Sequence, residues 1–292
     1  MKILLTGSSG FLGGYIKDKL GNPFCLNRSV NLKNDLSRYV PEFKLSFDCV
    51  IHNAGLAHQM SRKFDNKLFY QTNVLGTKNL LKGLNNIGVP KNFIFISSVS
   101  VYGVDCGEML NEETSLNAKD AYGLSKIQSE ELIQEWCDIN KVKCAIFRLP
   151  LVAGFNPPGN LGQMINAINK GYFFNIGNGN AKRSIVLASD VADFVSNKIG
   201  SSGIYNLTDG YHPSYSEISM YIARELNVSP PRNVPYWVAN IFAKLGDSFV
   251  SLSPFNSNTF KKLTSSLTFD DSKAIKLLGW NPSKVLDGFR VI

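Results

Sequence analysis

Residues 2–20 read KILLTGSSGFLGGYIKDKL, and the fold turns on this stretch. KILLT (2–6) is a short apolar run of the kind that forms a buried strand, and FLGGYIKDKL (11–20) has helical apolar spacing. Where the two meet, Gly7, Gly10 and Gly13 make a G-x-x-G-x-x-G pattern that takes in Phe11 and Leu12. Gly7 permits a tight turn, Gly10 lets backbone approach a pyrophosphate, and Gly13 lets helix pack closely on strand. The helix N-terminus favours an anion. Any turn can use glycine; a glycine triplet between a strand and a helix points to a dinucleotide site.

Outward from this unit, PFCLN (23–27), DCVIHNAG (48–55), NFIFISS (92–98) and KCAIFR (143–148) read as further strands. Helical patterns at 68–86 and 122–140 fall between them. The alternation predicts an α/β protein with a Rossmann doubly wound parallel sheet and its ligand at the carboxyl ends of the strands. After Arg148 the chain turns rich in Pro, Gly and Asn (149–160). The expected organisation is a dinucleotide-binding domain over 1–150, to which the chain returns at about 184–208. A smaller, mostly helical substrate-binding lobe is expected from 151–183 and 209–292.

With 292 residues, 44% of them hydrophobic, the chain can bury a sizeable core. Its net charge of +8 is spread without a basic block, which argues against nucleic acid and leaves room for an anionic ligand. Cys25, Cys49, Cys106, Cys137 and Cys144 lack any C-x-x-C spacing, so neither a metal nor a disulfide framework is expected, and a reducing cytoplasm is. The N-terminal apolar run meets glycine too early for a signal peptide, and no run is long enough to span a membrane. VPYWVANIFAKLG (234–246) comes nearest and reads as an amphipathic or core helix.

The end of the second strand bears on the cofactor. A carboxylate there would hold a ribose 2′-hydroxyl, whereas an arginine suits a 2′-phosphate. The sequence has Asn27-Arg28-Ser29 and no acid, which favours NADP(H) over NAD(H). Asp35 and Leu36 are expected at the adenine edge.

In KDAYGLSKIQSEEL (119–132), Tyr122 and Lys126 share a helical face, but Tyr15 and Lys19 have the same spacing. Context separates them. T-G-x-x-G-F-L-G (6–13), H-N-A-G (52–55), T-N-V-L-G-T (72–77), S-S-V-S-V-Y-G (97–103) and A-Y-G-L-S-K (121–126) occur in order, followed by R-L-P-L-V-A-G (148–154) and K-R-S-I-V-L-A-S-D-V-A-D (182–193). Over nearly the whole chain this set resembles the extended short-chain dehydrogenase/reductases, within them the nucleotide-sugar epimerases and ketoreductases. The resemblance implies that Tyr122 transfers a proton, with Lys126 as its partner and Ser98 holding the reacting oxygen. It implies that Asn73 orders the site and that Asn53, Ala54 and Gly55 border the cofactor. It puts Arg183, with Asn160 as a second contact, on the diphosphate of a nucleotide-sugar substrate. A phenol of pKa about 10 is a poor base, and a cation one turn away is expected to lower it. Ser98 would donate to charge developing on oxygen.

Departures from related patterns prune the chemistry. Sugar 4,6-dehydratases carry an Asp-Glu pair where this chain has Val99 and Ser100, and 3,5-epimerising reductases carry a cysteine in place of Ser100. What remains is chemistry at C4. Arg28 favours an NADPH-dependent 4-ketoreductase; the alternative is a UDP-sugar 4-epimerase with bound NAD, and the third reading is a silent NADP-binding sensor. Retention of Ser98, Tyr122 and Lys126 argues against the sensor. Helices 68–86 and 122–140 are expected to pair in a homodimer. Glu112-Glu113 and His58 read as solvated, Asp190 and Asp270-Asp271 as helix caps, and Tyr236 and Trp237 as packing residues.

Overall fold

The computed structural model describes residues 1–27, 32–57, 66–248 and 255–291. In β1 (Ile3–Thr6), the neighbours Leu4 and Leu5 are both fully buried yet belong to different cores, so the strand is covered on both faces. The chain continues through α1 (Phe11–Leu20), β2 (Phe24–Leu26), β3 (Cys49–His52), α2 (Asn66–Phe69), a π-helical stretch (Tyr70–Leu75), α3 (Gly76–Asn85), β4 (Asn92–Ser98), β5 (Gly107–Leu110), α4 (Ala121–Asn140) and β6 (Lys143–Leu149). Next come β7 (Leu151–Ala153), α5 (Gly159–Asn169), β8 (Phe174–Ile176), β9 (Ile185–Leu187), α6 (Ala188–Asn197), β10 (Gly203–Asn206) and α7 (Tyr215–Glu225). The rest is β11 (Arg232–Val234), α8 (Tyr236–Ser248), α9 (Ser257–Thr264), β12 (Leu267–Phe269), α10 (Ser272–Leu278) and α11 (Val285–Gly288).

Six strands pair in parallel in the order β10-β6-β4-β3-β1-β2. The order reverses at β1, which opens a crevice beyond the carboxyl ends of β1 and β3. Leu5, Ile51, Ile96 and Phe147 pack toward α1 and α6; Leu4, Val50, Phe95 and Ile146 pack toward α3 and α4. Each such side chain contributes roughly 1.5–3 kcal/mol by leaving water.

A separate core holds Ala153, Leu161, Ile185, Ile218 and Phe289, contributed by β7, α5, β9, α7 and the C-terminal segment. Strand β9 pairs with β7 outside the main sheet, whereas β10 joins the main sheet. The two-stranded pairs β7/β9, β8/β11 and β5/β12 are too short to show a periodicity in sequence.

Several single-residue expectations change. The helix expected over 68–86 is interrupted by its π stretch. Glu112 is not merely solvated: its Oε1 accepts the Asn206 N–H at 2.7 Å. Asp190 sits inside α6, whose N-cap is Leu187, and its Oδ2 accepts the Ser283 N–H at 2.6 Å. Asp271 does stand at the N-cap of α10, but its buried carboxylate takes the Thr208 hydroxyl at 2.9 Å rather than capping the helix. Trp237 is 67% exposed and so does not pack the lobe. His58 lies outside the described residues.

Candidate active site

The glycine turn has the shape its sequence requires. Gly7 has φ +71°, and a Cβ there would lie 2.6 Å from the Ala54 nitrogen; a Cβ on Gly13 would lie 1.9 Å from the Gly7 carbonyl oxygen. At Gly10 an added Cβ meets only that carbonyl, at 3.3 Å, so the space over the start of α1 is open. Gly10 is the N-cap and gives no side-chain cap, which leaves the first-turn N–H groups of Phe11, Leu12 and Gly13 for an anion. These residues fit a dinucleotide pyrophosphate. The Leu12 side chain is buried in the core, so only its backbone serves, and Phe11 packs edge-on to Tyr15. Asn53 clamps the turn through Nδ2 to the Gly7 carbonyl at 3.3 Å.

A buried relay, not expected from the sequence, runs behind this turn. The Thr77 hydroxyl donates to the Asn73 carbonyl at 2.6 Å, so it must accept from His52 Nε2 at 2.9 Å. Nδ1 is then the acceptor for the Thr6 hydroxyl at 2.7 Å, which itself accepts the Ala54 N–H at 3.1 Å. Burial, aided by the nearby Lys126 charge, lowers the His52 pKa to about 3 and keeps the ring neutral. Asn73 sits in the π stretch. Its Oδ1 accepts the Leu56 N–H at 2.7 Å, and its Nδ2 donates to the Leu56 carbonyl at 3.1 Å and the Ser125 hydroxyl at 2.8 Å. It thereby ties the loop after β3 to α4. Gly55 closes the group: a Cβ there would lie 3.2 Å from Asn73 Oδ1 and 3.7 Å from Lys126 Nζ.

Tyr122 enters from the first turn of α4, which Asp120 caps by accepting the Gly123 N–H at 3.0 Å. Ser98 ends β4, accepts the Ser100 N–H at 3.2 Å and donates to the Ser100 hydroxyl at 3.0 Å, with the Tyr122 phenol nearby. Burial pushes that phenol up from its ordinary value, and the Asp120 charge adds to the rise while the Ser98 hydroxyl opposes it. Lys126 follows one helical turn later. The ammonium donates to the Ile96 carbonyl at 2.7 Å and lies 4.5 Å from the centre of the Phe95 ring. Burial lowers its own pKa to about 8, against the pull of Glu130.

Glu130, one turn beyond Lys126, anchors a second buried network. Arg148 donates to it from Nη2 at 2.6 Å and from Nε at 3.1 Å, and the Ser97 hydroxyl donates at 2.5 Å. Arg148 Nη1 also reaches the Tyr102 hydroxyl at 3.2 Å, which donates to Asn206 Oδ1 at 2.7 Å. Both members of the ion pair are almost wholly buried, which is tolerable because both Glu130 oxygens accept hydrogen bonds. The signal that could have found it is a carboxylate four residues after the buried lysine, on the same helical face.

Arg183, from the other core, is also buried. Its Nε donates to the Tyr215 hydroxyl at 3.0 Å and its Nη2 to the Lys262 carbonyl. Nη1 is buried with no hydrogen-bond partner among the described residues. A guanidinium edge left in this state is suited to an anion. Asn160 stands exposed in the first turn of α5. Asp35 spends its carboxylate on the Ser37 N–H and hydroxyl (3.0 and 2.6 Å), and Leu36 is buried in the core. Among the described residues no hydrogen bond joins Asn160 or Asp35 to the Tyr122 group. The Asn27 carbonyl accepts from Asn34 Nδ2 at 3.2 Å, and Arg28 lies outside the described residues.

The geometry agrees with what the chain matches. Residues 3–207 fit the model of the NAD dependent epimerase/dehydratase family. The chain belongs to that family. It is an enzyme of the extended short-chain dehydrogenase/reductase type, and the family uses a nicotinamide dinucleotide. It is similar to the UDP-glucose 4-epimerase of Vibrio cholerae, 28% identical over 318 aligned positions that cover 99% of this chain and 93% of the relative. It is also 26% identical to the N-acetyl-alpha-D-glucosaminyl-diphospho-ditrans,octacis-undecaprenol 4-epimerase of Escherichia coli O157:H7, over 93% of this chain and 88% of that protein. In fold it resembles RMD from Pseudomonas aeruginosa, solved in complex with NADPH, with TM-score 0.72, 21% identity, and 98% and 95% of the two chains covered. No helix among the described residues is long and apolar enough to cross a membrane.

Proposed function

We propose that this member of the family oxidises and then re-reduces C4 of a sugar held as a glycosyl diphosphate, and so works as a 4-epimerase. The observation that carries the reading is the placement of Ser98, at the carboxyl end of β4, near the buried Tyr122 phenol of α4, one helical turn from buried Lys126, whose ammonium donates to the Ile96 carbonyl at 2.7 Å. When bound, the dinucleotide supplies the hydride acceptor and donor. The chain's own residues manage the proton. The Tyr122 phenol exchanges it with the C4 oxygen, and the Ser98 hydroxyl donates to that oxygen as charge develops. Lys126, fixed by the Ile96 carbonyl, holds a positive charge beside them. Val99 and Ser100 offer no acid–base pair for dehydration. Arg183 Nη1 is the seat we assign to the diphosphate. The two relatives support this, since UDP-glucose and a glycosyl diphospho-undecaprenol share the glycosyl diphosphate.

The second reading is the NADPH-dependent 4-ketoreductase, favoured by Asn27-Arg28 and the missing acid. The cofactor follows the reaction: tightly held NAD for the epimerase, exchangeable NADPH for the reductase. Similarity to epimerases along nearly the whole chain supports the first. The test is to incubate the protein with UDP-glucose and UDP-N-acetylglucosamine without added cofactor, then with a nucleotide-linked 4-keto-6-deoxy sugar and NADPH. Equilibration of the 4-epimers without cofactor supports epimerisation; consumption of NADPH with the ketone alone overturns it. We assign the homodimer to the 68–86 and 122–140 helices, where Leu68, Tyr70 and Leu124 are exposed.

A further inference from the structure

Helix α8 is built inside out for a soluble protein. At about 100° per residue, Ala239, Ala243 and Gly246 fall on the side that is buried against the protein. Trp237, Ile241 and Leu245 fall on the opposite side, and Phe242 falls on its flank. Trp237 is 67% exposed, Phe242 60%, Leu245 54% and Ile241 51%. A large apolar face on a helix is ordinarily covered. Among the described residues only the small-residue face is, by a cluster that includes Phe260 of α9. The outward stripe is a few turns long, carries an aromatic near its N-terminal end, and is bordered by exposed Lys244.

What this face is next to indicates what covers it. Helix α9 packs on α8 through Phe260, and its Lys262 carbonyl accepts from Arg183 Nη2. The apolar face therefore stands one helix beyond the guanidinium assigned to the diphosphate. Exposed Lys261 of α9, and exposed Arg232 of β11, whose Val234 packs against the same cluster, add further positive charge within a chain of net charge +8. Exposed apolar and aromatic residues flanked by cations are the make-up of a helix that lies in the surface of an anionic bilayer.

We propose that α8 seats the enzyme on an anionic lipid bilayer, so that the glycosyl diphosphate reaching Arg183 is one carried by a membrane lipid. The docking stands on α8 alone; the substrate clause rests on the assignment of Arg183 above. The probe is a set of vesicles of phosphatidylethanolamine with and without phosphatidylglycerol, used with the full chain. Trp136 and Trp280 are buried, so Trp237 reports selectively. Wild type is expected to float with phosphatidylglycerol vesicles and to shift its tryptophan emission to shorter wavelength, a shift that Trp237→Phe removes. The double variant Ile241→Glu/Phe242→Glu is expected to lose about tenfold or more of the vesicle binding. Its dinucleotide binding and any turnover of soluble UDP-sugars should be unchanged, since neither residue belongs to the site. Wild type that ignores both kinds of vesicle overturns the docking. So does a dimer in light scattering that the double variant splits, because the face then meets a second copy. Vesicle binding with no turnover of any glycosyl diphosphate upholds the docking and overturns the function proposed for the site instead.

Discussion

Tyr15 with Lys19 and Tyr122 with Lys126 are the same two residues at the same spacing, each near the start of a helix that packs on the same sheet. They end in opposite circumstances. The Tyr15 hydroxyl accepts the Phe155 N–H at 2.9 Å, and Lys19 pairs with Asp193 at 2.6 Å, both about half exposed. Lys126 is buried, bonded to a backbone carbonyl, and backed by the Glu130–Arg148 pair. Tyr122 meets Ser98 at a strand's carboxyl end. The difference lies in depth and in what the neighbouring strand presents. One pair holds a loop and a neighbouring helix in place; the other is the pair we propose as the proton site.

The comparison breaks most readily at the tyrosines. Tyr122→Phe is expected to lower turnover by about 10²–10⁴-fold with dinucleotide binding retained in a fluorescence titration. Tyr15→Phe should change turnover by no more than about twofold, because it lies outside the reacting group. Equal losses in the two variants would erase the distinction.

The ion pairs are expected to differ next. Glu130→Gln leaves a buried guanidinium poorly compensated and should cost about 3–5 kcal/mol in denaturant unfolding. Asp193→Asn removes an exposed partner and should cost about 0–1 kcal/mol. Glu130→Gln also removes the charge that props up Lys126, so the alkaline fall in kcat should move to lower pH.

The smallest effect is on pH-dependent stability. The folded pKa of Lys126 is lowered to about 8, against an unfolded value near 10.4. Below about pH 8 both states hold the proton, and the cost of burying the charge is felt in full. As pH rises from there toward about 10.4 the unfolded chain holds more protons, so this group's contribution to stability increases. Lys126→Met should flatten that rise in unfolding free energy, measured by denaturant unfolding between about pH 8 and 10.

Much of this was legible in the sequence. Strand NFIFISS is β4 and the helix FLGGYIKDKL is α1, both at the expected bounds, because long apolar runs and an open glycine turn are local signals. The grouping of Gly7, Gly55, Asn73, Ser98, Tyr122 and Lys126 was legible only as an ordered set of motifs. The His52 relay was not, since its partners Thr6, Thr77 and Ala54 come from separate elements that only the fold brings together. Nor was the direction of the Tyr122 shift, which depends on burial and on the nearby Asp120 charge. Trp237 failed for the opposite reason. An aromatic in an apolar helix reads as core, and only the placement of Ala239 and Ala243 reveals which face is covered.

The π stretch at Tyr70–Leu75 has a consequence for how the protein can change over generations. A π turn fits one more residue into the rise of an α turn. The carbonyl of Asn73 accepts the hydroxyls of Thr77 and Ser129 there, at 2.6 and 3.2 Å. Deleting a single residue would restore an ordinary helix and rotate everything before it by about 100° relative to α3. Asn73 would then turn away from Leu56 and Ser125. In this segment the protected quantity is length: a lineage can exchange several of its side chains one at a time, but the loss of one codon would dismantle the site.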